Sequence, residues 1–220
     1  KYDGKKANLL LKVFRNIIAS FYLSFNAYIS TKIIRSKNTI KGELIILENF
    51  IFEDSFDEEY NIVDRNYPGI MDYFSQNQAD KVWYVSTIIG IQHLHQRIKF
   101  LNKVNLSKDK IIIKDYFLKL GDYLSAFHCS LTIPFKIKHI PKWRNIDISQ
   151  LILAEAKNEI GSYGLISNIL YYRFFKRLQY KGITIKLVFD WNENQVIDRA
   201  LNLGVRKYFP KALIKGYQGY

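Results

Sequence analysis

The sequence predicts an α/β fold built on a mainly parallel sheet with helices on both faces, and three observations predict it. GELIILENFIF, KVWYVSTIIGI, DKIIIKDYF and ITIKLVF are short runs rich in Ile, Val and aromatic residues, the composition of buried strands. Segments with apolar residues at helical spacing separate them. Residues 183–220 then read as strand, helix, strand in one unit, which a parallel crossover requires.

The elements follow in order. Residues 1–40 form a helical N-terminal segment in which Leu10, Val13, Phe14, Ile17, Ile18, Phe21 and Phe25 recur at helical spacing. Lys5, Lys6, Lys12, Arg15, Lys32 and Arg35 flank them. Two readings stay open: a helix packed on the domain, or one lying on a membrane surface. Residues 41–220 form the Rossmann-like domain. Its first strand, GELIILENFIF, runs into acidic residues, which makes Asn49–Asp54 a candidate site at a strand's carboxyl end. Pro68 is expected to open a helix over YPGIMDYFSQNQ. HLHQRIKFLNKVN and LGDYLSAFHCSLTIPFKI read as helices, with His128 a core residue. A long helical region follows from Ile146, divided in two at Gly161 and Gly164. No Gly/Ser-rich or Pro-rich linker and no internal repeat marks a boundary. The first residue is Lys1 and the last ones read as a strand, so a piece of a longer product, ending near residue 220, is expected.

The formal net charge of +13 attracts phosphates, nucleic acid or anionic lipid. The lysines are scattered among Ile, Asn, Tyr and Phe instead of forming a block, and this disfavours nucleic acid as a partner. Cys129, the one cysteine, cannot form an internal disulfide and fits a reducing cytosol; its apolar setting reads as a buried, inert thiol. No metal site is expected, because His93 and His95, spaced i, i+2, would point to different sides of a helix. No segment supplies the roughly 18 uninterrupted apolar residues of a membrane span.

The chemistry concentrates in ITIKLVFDWNENQVIDRALNLGVRKYFPKALIKGYQGY. Its strand delivers Asp190, Trp191, Asn192, Glu193, Asn194 and Gln195 to one strand end, with Asn192 or Asp190 able to cap the helix that follows. Pro210 ends that helix, and the next strand brings Gly216, Gln218 and Gly219 to the same edge. An aromatic face with amides and carboxylates matches a sugar ring, which offers apolar C–H faces and dense hydroxyls. Arg199 either faces this cleft or pairs with Asp198 or Asp190.

The WNENQ…DRALNLGVRKYFP…IKGYQGY series resembles a family of bacterial surface-carbohydrate (O-antigen or capsule type) biosynthesis proteins similar to two-Rossmann-domain, GT-B glycosyltransferases. The resemblance is concentrated in residues 184–220. It implies the acceptor-side half of an enzyme that transfers sugar from a nucleotide donor to a growing surface polysaccharide. The donor would be held mostly by a C-terminal domain absent from this chain, and the acceptor would be carbohydrate or lipid-linked. Glu193 is implied as the general base, with Asn194, Gln195, Arg199, Gly216, Gln218 and Gly219 contacting substrate; the strand-end reading adds Asp190 and Trp191 to the substrate contacts. No cofactor or metal is implied. The lone cysteine points to the cytoplasm, and the basic charge with the amphipathic N-terminal stretch leaves peripheral contact with the inner face of the membrane as an open reading. The alternatives are a non-catalytic binding or assembly protein of the same pathway, and a basic nucleic-acid-binding domain.

Overall fold

The structure, a computed structural model, describes residues 2–137, 142, 144–191 and 196–217, and only the backbone of residues 2–8 and 134. The chain divides into two compact units, one comprising residues 1–25 and 119–170, the other residues 26–118 and 171–220. The second unit holds the sheet. Its strands are β1 (Glu43–Ile51), β2 (Val82–Ile88), β3 (Ile111–Ile113), β4 (Thr184–Trp191) and β5 (Leu213–Tyr217). All are parallel, in the order β3-β2-β1-β4-β5. The expected α/β class with a Rossmann-like parallel sheet is therefore correct. The strand order reverses between β1 and β4, and at such a switch point the connections leave in opposite directions and open a crevice.

Side chains alternate across the sheet. On one face Ile45, Leu47, Val82 and Tyr84 pack with Tyr67, joined by Phe74, Phe189 and Trp191. Ile51, Ile111 and Ile113 pack there on Phe100, Leu101 and Val104 of α3 (Leu94–Leu106). The other face carries Leu44, Ile46, Glu48, Val188 and Asp190. It is flanked by α6 (Tyr163–Tyr180) and α7 (Val196–Tyr208), which meet through Phe175, Phe209 and Gly204.

The first unit is helical. It contains most of α1 (Tyr2–Ile33), α4 (Leu120–Lys136), α5 (Ser149–Asn158) and the start of α6. α1 docks on the turn after α5, where the Ser20 hydroxyl donates to the Gly161 carbonyl at 2.7 Å. Gly161 holds φ +67°, and a Cβ there would sit 2.9 Å from Cγ1 of Ile17. Gly161→Ala should cost about 2 kcal/mol, from the left-handed backbone plus the overlap; an unchanged urea midpoint would contradict this packing.

Three local expectations need correction. Residues 68–79 are not one helix. Gly69 takes φ +74° and Phe74 is extended, so the segment is a 3-10 turn over Ile70–Tyr73 followed by a short α2 (Gln76–Ala79) capped by Ser75. Gly164 lies inside α6 and breaks nothing; Gly161 alone makes the division. His128 is exposed and Cys129 half-buried, because α4 turns Asp122, Tyr123, Ala126 and Ser130 inward.

Candidate functional site at the switch point

β4 runs two residues further than its apolar core, through Asp190 and Trp191. Asp190 is therefore a strand residue and not the cap of α7. Its carboxylate accepts a hydrogen bond from the Asn202 amide of α7 at 2.9 Å. Its other oxygen, Oδ1, has no hydrogen-bond partner among the described residues, although Asp190 is only 1% exposed. Burial drives its pKa up to about 6; the Asn202 hydrogen bond opposes that shift and the nearby charge of Asp198 adds to it.

The parallel register sets Gly216 opposite Asp190 and Tyr217 opposite Trp191. Alternation sends the two pairs to opposite faces of one strand end. Asp190 and Gly216 face α7. Trp191 and Tyr217 join Tyr67 in a three-ring cluster with centroids 5.4 to 5.9 Å apart. Tyr67 comes from the segment after β1, and Asp64 fixes it there. One Asp64 oxygen accepts from the backbone N–H groups of Asn66 and Tyr67 at 3.0 and 2.8 Å, and the other accepts from the Tyr84 hydroxyl at 3.0 Å. Pro68 restricts Tyr67 further to extended backbone.

Beside Asp190 lie buried groups that the sequence reading passed over. Glu48 of β1, Asp198 of α7 and Thr87 of β2 are all buried at this edge. Tyr171 of α6 is fully buried, and its hydroxyl is held well above the ordinary tyrosine value by burial first, then by the charges of Glu48 and Asp190, with Thr87 a partial offset. Tyr67 is raised likewise by burial, then by Glu48, Asp190, Asp64 and Asp198. A glutamate inside the run LIILENFI was the available signal for Glu48, since a charge in a buried strand has a large desolvation cost unless something compensates it. Tyr67 carried no comparable signal.

Further along the edge the charge changes sign. At the end of β3, Arg97, Lys114 and Asp115 are all buried. Arg97 Nη2 lies 3.4 Å and Lys114 Nζ 3.9 Å from Asp115 Oδ2. Burial pulls the Lys114 pKa down, Asp115 opposes that and Arg97 reinforces it. Lys114 Nζ also sits 5.9 Å from the Tyr171 ring centroid.

Of the residues expected at the site, Glu193, Asn194, Gln195, Gln218 and Gly219 lie outside the described residues. Arg199 is exposed on α7, whereas Asp190 and Asp198 are buried. In the Asn49–Asp54 stretch, Asn49 is buried and accepts from the Ser86 hydroxyl, whereas Asp54 is exposed and pairs with Arg65 at 3.1 Å. His93 and His95 do not diverge as the helical spacing predicted. His93 is the extended residue before α3, and the two exposed rings stack with centroids 5.9 Å apart. No protein-family model, curated protein or solved structure matches the chain.

Proposed function

We propose that this chain is the acceptor-side portion of a glycosyltransferase that extends a bacterial surface polysaccharide from a nucleotide-activated sugar. One observation carries the reading: at the switch point the end of β4 carries a buried carboxyl group, Asp190, with a pKa of about 6 on one face and the Tyr67–Trp191–Tyr217 rings on the other. A carboxylate of that basicity suits removal of a proton from a hydroxyl near neutral pH. The rings suit the C–H face of a sugar. Glu48, Asp190 and Asp198 together disfavour a diphosphate here, so this edge is assigned to the neutral acceptor and the donor to another site.

In the step proposed, the acceptor hydroxyl oxygen bonds to the anomeric carbon as the bond from that carbon to the donor phosphate breaks. The hydroxyl proton passes to Asp190 or to Glu193, and the nucleoside phosphate leaves with the electron pair. The sequence resemblance in residues 184–220 supports the same reading and favours Glu193 as the base.

The test is nucleotide release from CMP-, CDP-, UDP- and GDP-linked sugars by the product of the complete reading frame, with acceptor supplied as a polysaccharide extract. Release that falls at least about a hundredfold in Glu193→Gln or Asp190→Asn supports the proposal. No release from any donor by a folded protein would replace it with a non-catalytic binding role in the same pathway.

A further inference from the structure

We propose that the exposed stripe of α1 docks on an anionic membrane surface; this inference is independent of the transferase reading. The helix is amphipathic in the reverse of the usual sense. Its fully buried residues are small or polar (Ser20, Ser24, Asn26, Ala27, Ser30 and Thr31), with Val13 and Ile17 half-buried on the same side. Its large apolar residues face out: Leu10 is 72%, Phe14 61% and Phe21 63% exposed, with Leu11, Ile18 and Phe25 exposed beside them. At 3.6 residues per turn these six cover about 100° of the circumference and about 22 Å of length. Phe21 and Phe25 stack with centroids 6.3 Å apart, and Leu11, Phe14, Ile18 and Tyr22 line a surface groove together with Lys12 and Arg15.

Charge decides the occupant. Between Asp3 and Glu43 there is no acidic residue, while Lys5, Lys6, Lys12, Arg15, Lys32 and Arg35 are spread along the segment. The chain as a whole is +13. A second copy on this stripe would bring two such surfaces together, like charge against like. An anionic bilayer supplies the opposite charge and an apolar layer in one surface. No helix is long and apolar enough to cross a membrane among the described residues, so α1 would lie along the interface.

The experiment is co-sedimentation of the protein with vesicles of equimolar phosphatidylglycerol and phosphatidylcholine, and with phosphatidylcholine alone. Binding should require phosphatidylglycerol and weaken as salt rises. Phe14→Ser with Phe21→Ser should lower affinity at least about tenfold, and Arg15→Glu about fivefold, with circular dichroism unchanged because all three side chains are at the surface. No vesicle binding by the folded protein, or equal binding by the double variant, would overturn the proposal. So would a dimer that the double variant abolishes, which would assign the stripe to a second copy.

Discussion

Phe175→Ala should destabilise the protein by about 3–5 kcal/mol, the usual range for deleting a buried aromatic ring. Phe175 is fully buried on α6 and its ring borders Phe174 at 5.1 Å, Tyr171 at 6.1 Å and Phe209 at 6.4 Å between centroids. The same ring explains Gly204. A Cβ at Gly204 would lie 2.6 Å from Cδ2 of Phe175, so α7 approaches α6 through a gap that admits only glycine. Gly204→Ala gains about 1 kcal/mol in helix propensity yet should still lose about 1–2 kcal/mol net through the overlap. Combining Gly204→Ala with Phe175→Leu should cost less than the sum of the two, by about 1 kcal/mol or more. Guanidinium titrations of the four proteins measure this coupling, and strict additivity would mean the two residues do not touch.

Asp190→Asn should stabilise the protein above pH 6 and, on the transferase reading proposed above, remove most of the transfer activity. The folded-state pKa is raised from 3.8 to about 6, so between those values the folded chain holds a proton that the unfolded chain does not. Stability contributed by this group is therefore greatest below about pH 4, falls as pH rises to about 6, and stays low beyond it. The asparagine amide oxygen keeps the acceptor for Asn202 and carries no charge to desolvate. At pH 8 the variant should gain at most about 3 kcal/mol and lose this group's part of the pH dependence. If Asp190 is the base, kcat/KM of the wild type should rise with pH through about 6, and the variant should fall about a hundredfold to ten-thousandfold without that limb. Near-normal turnover in Asp190→Asn together with loss in Glu193→Gln would assign the base to Glu193. Opposite signs for stability and activity are what a strained functional group predicts.

β1, β2 and β3 were legible as Ile- and Val-rich runs buried on both faces, and α3, α4 and α7 because their apolar residues keep the 3.6 period; β4 is half-buried and β5 mostly exposed, and these two were read from their places on either side of α7. The order β3-β2-β1-β4-β5 was not legible, since it depends on pairings between residues more than a hundred apart, such as Leu47 with Phe189. The segment after Pro68 was misread because Gly69 uses a left-handed backbone that spacing does not reveal. At the site, Asp190, Trp191 and Gly216 were legible as a strand-end group, and the register sets Asp190 against Gly216. Asp190 and Trp191 are consecutive in β4, so strand alternation divides them between two faces, which a reading of them as one cluster does not show. Glu48 and Tyr171 were missed for a related reason. Each sits in an apolar run, and only the fold turns them toward Asp190.

The place of β4 in the sheet also sets a timetable for synthesis. β4 pairs with β1 at the centre, but about 70 residues separate it from β3, among them the 119–170 part of the other unit. At about 5–20 residues per second, the ribosome needs about 4–14 s to supply it after β3 emerges. During that interval LIILENFI has a partner on one side only, and its free edge is the part of the nascent chain most open to pairing with a neighbour.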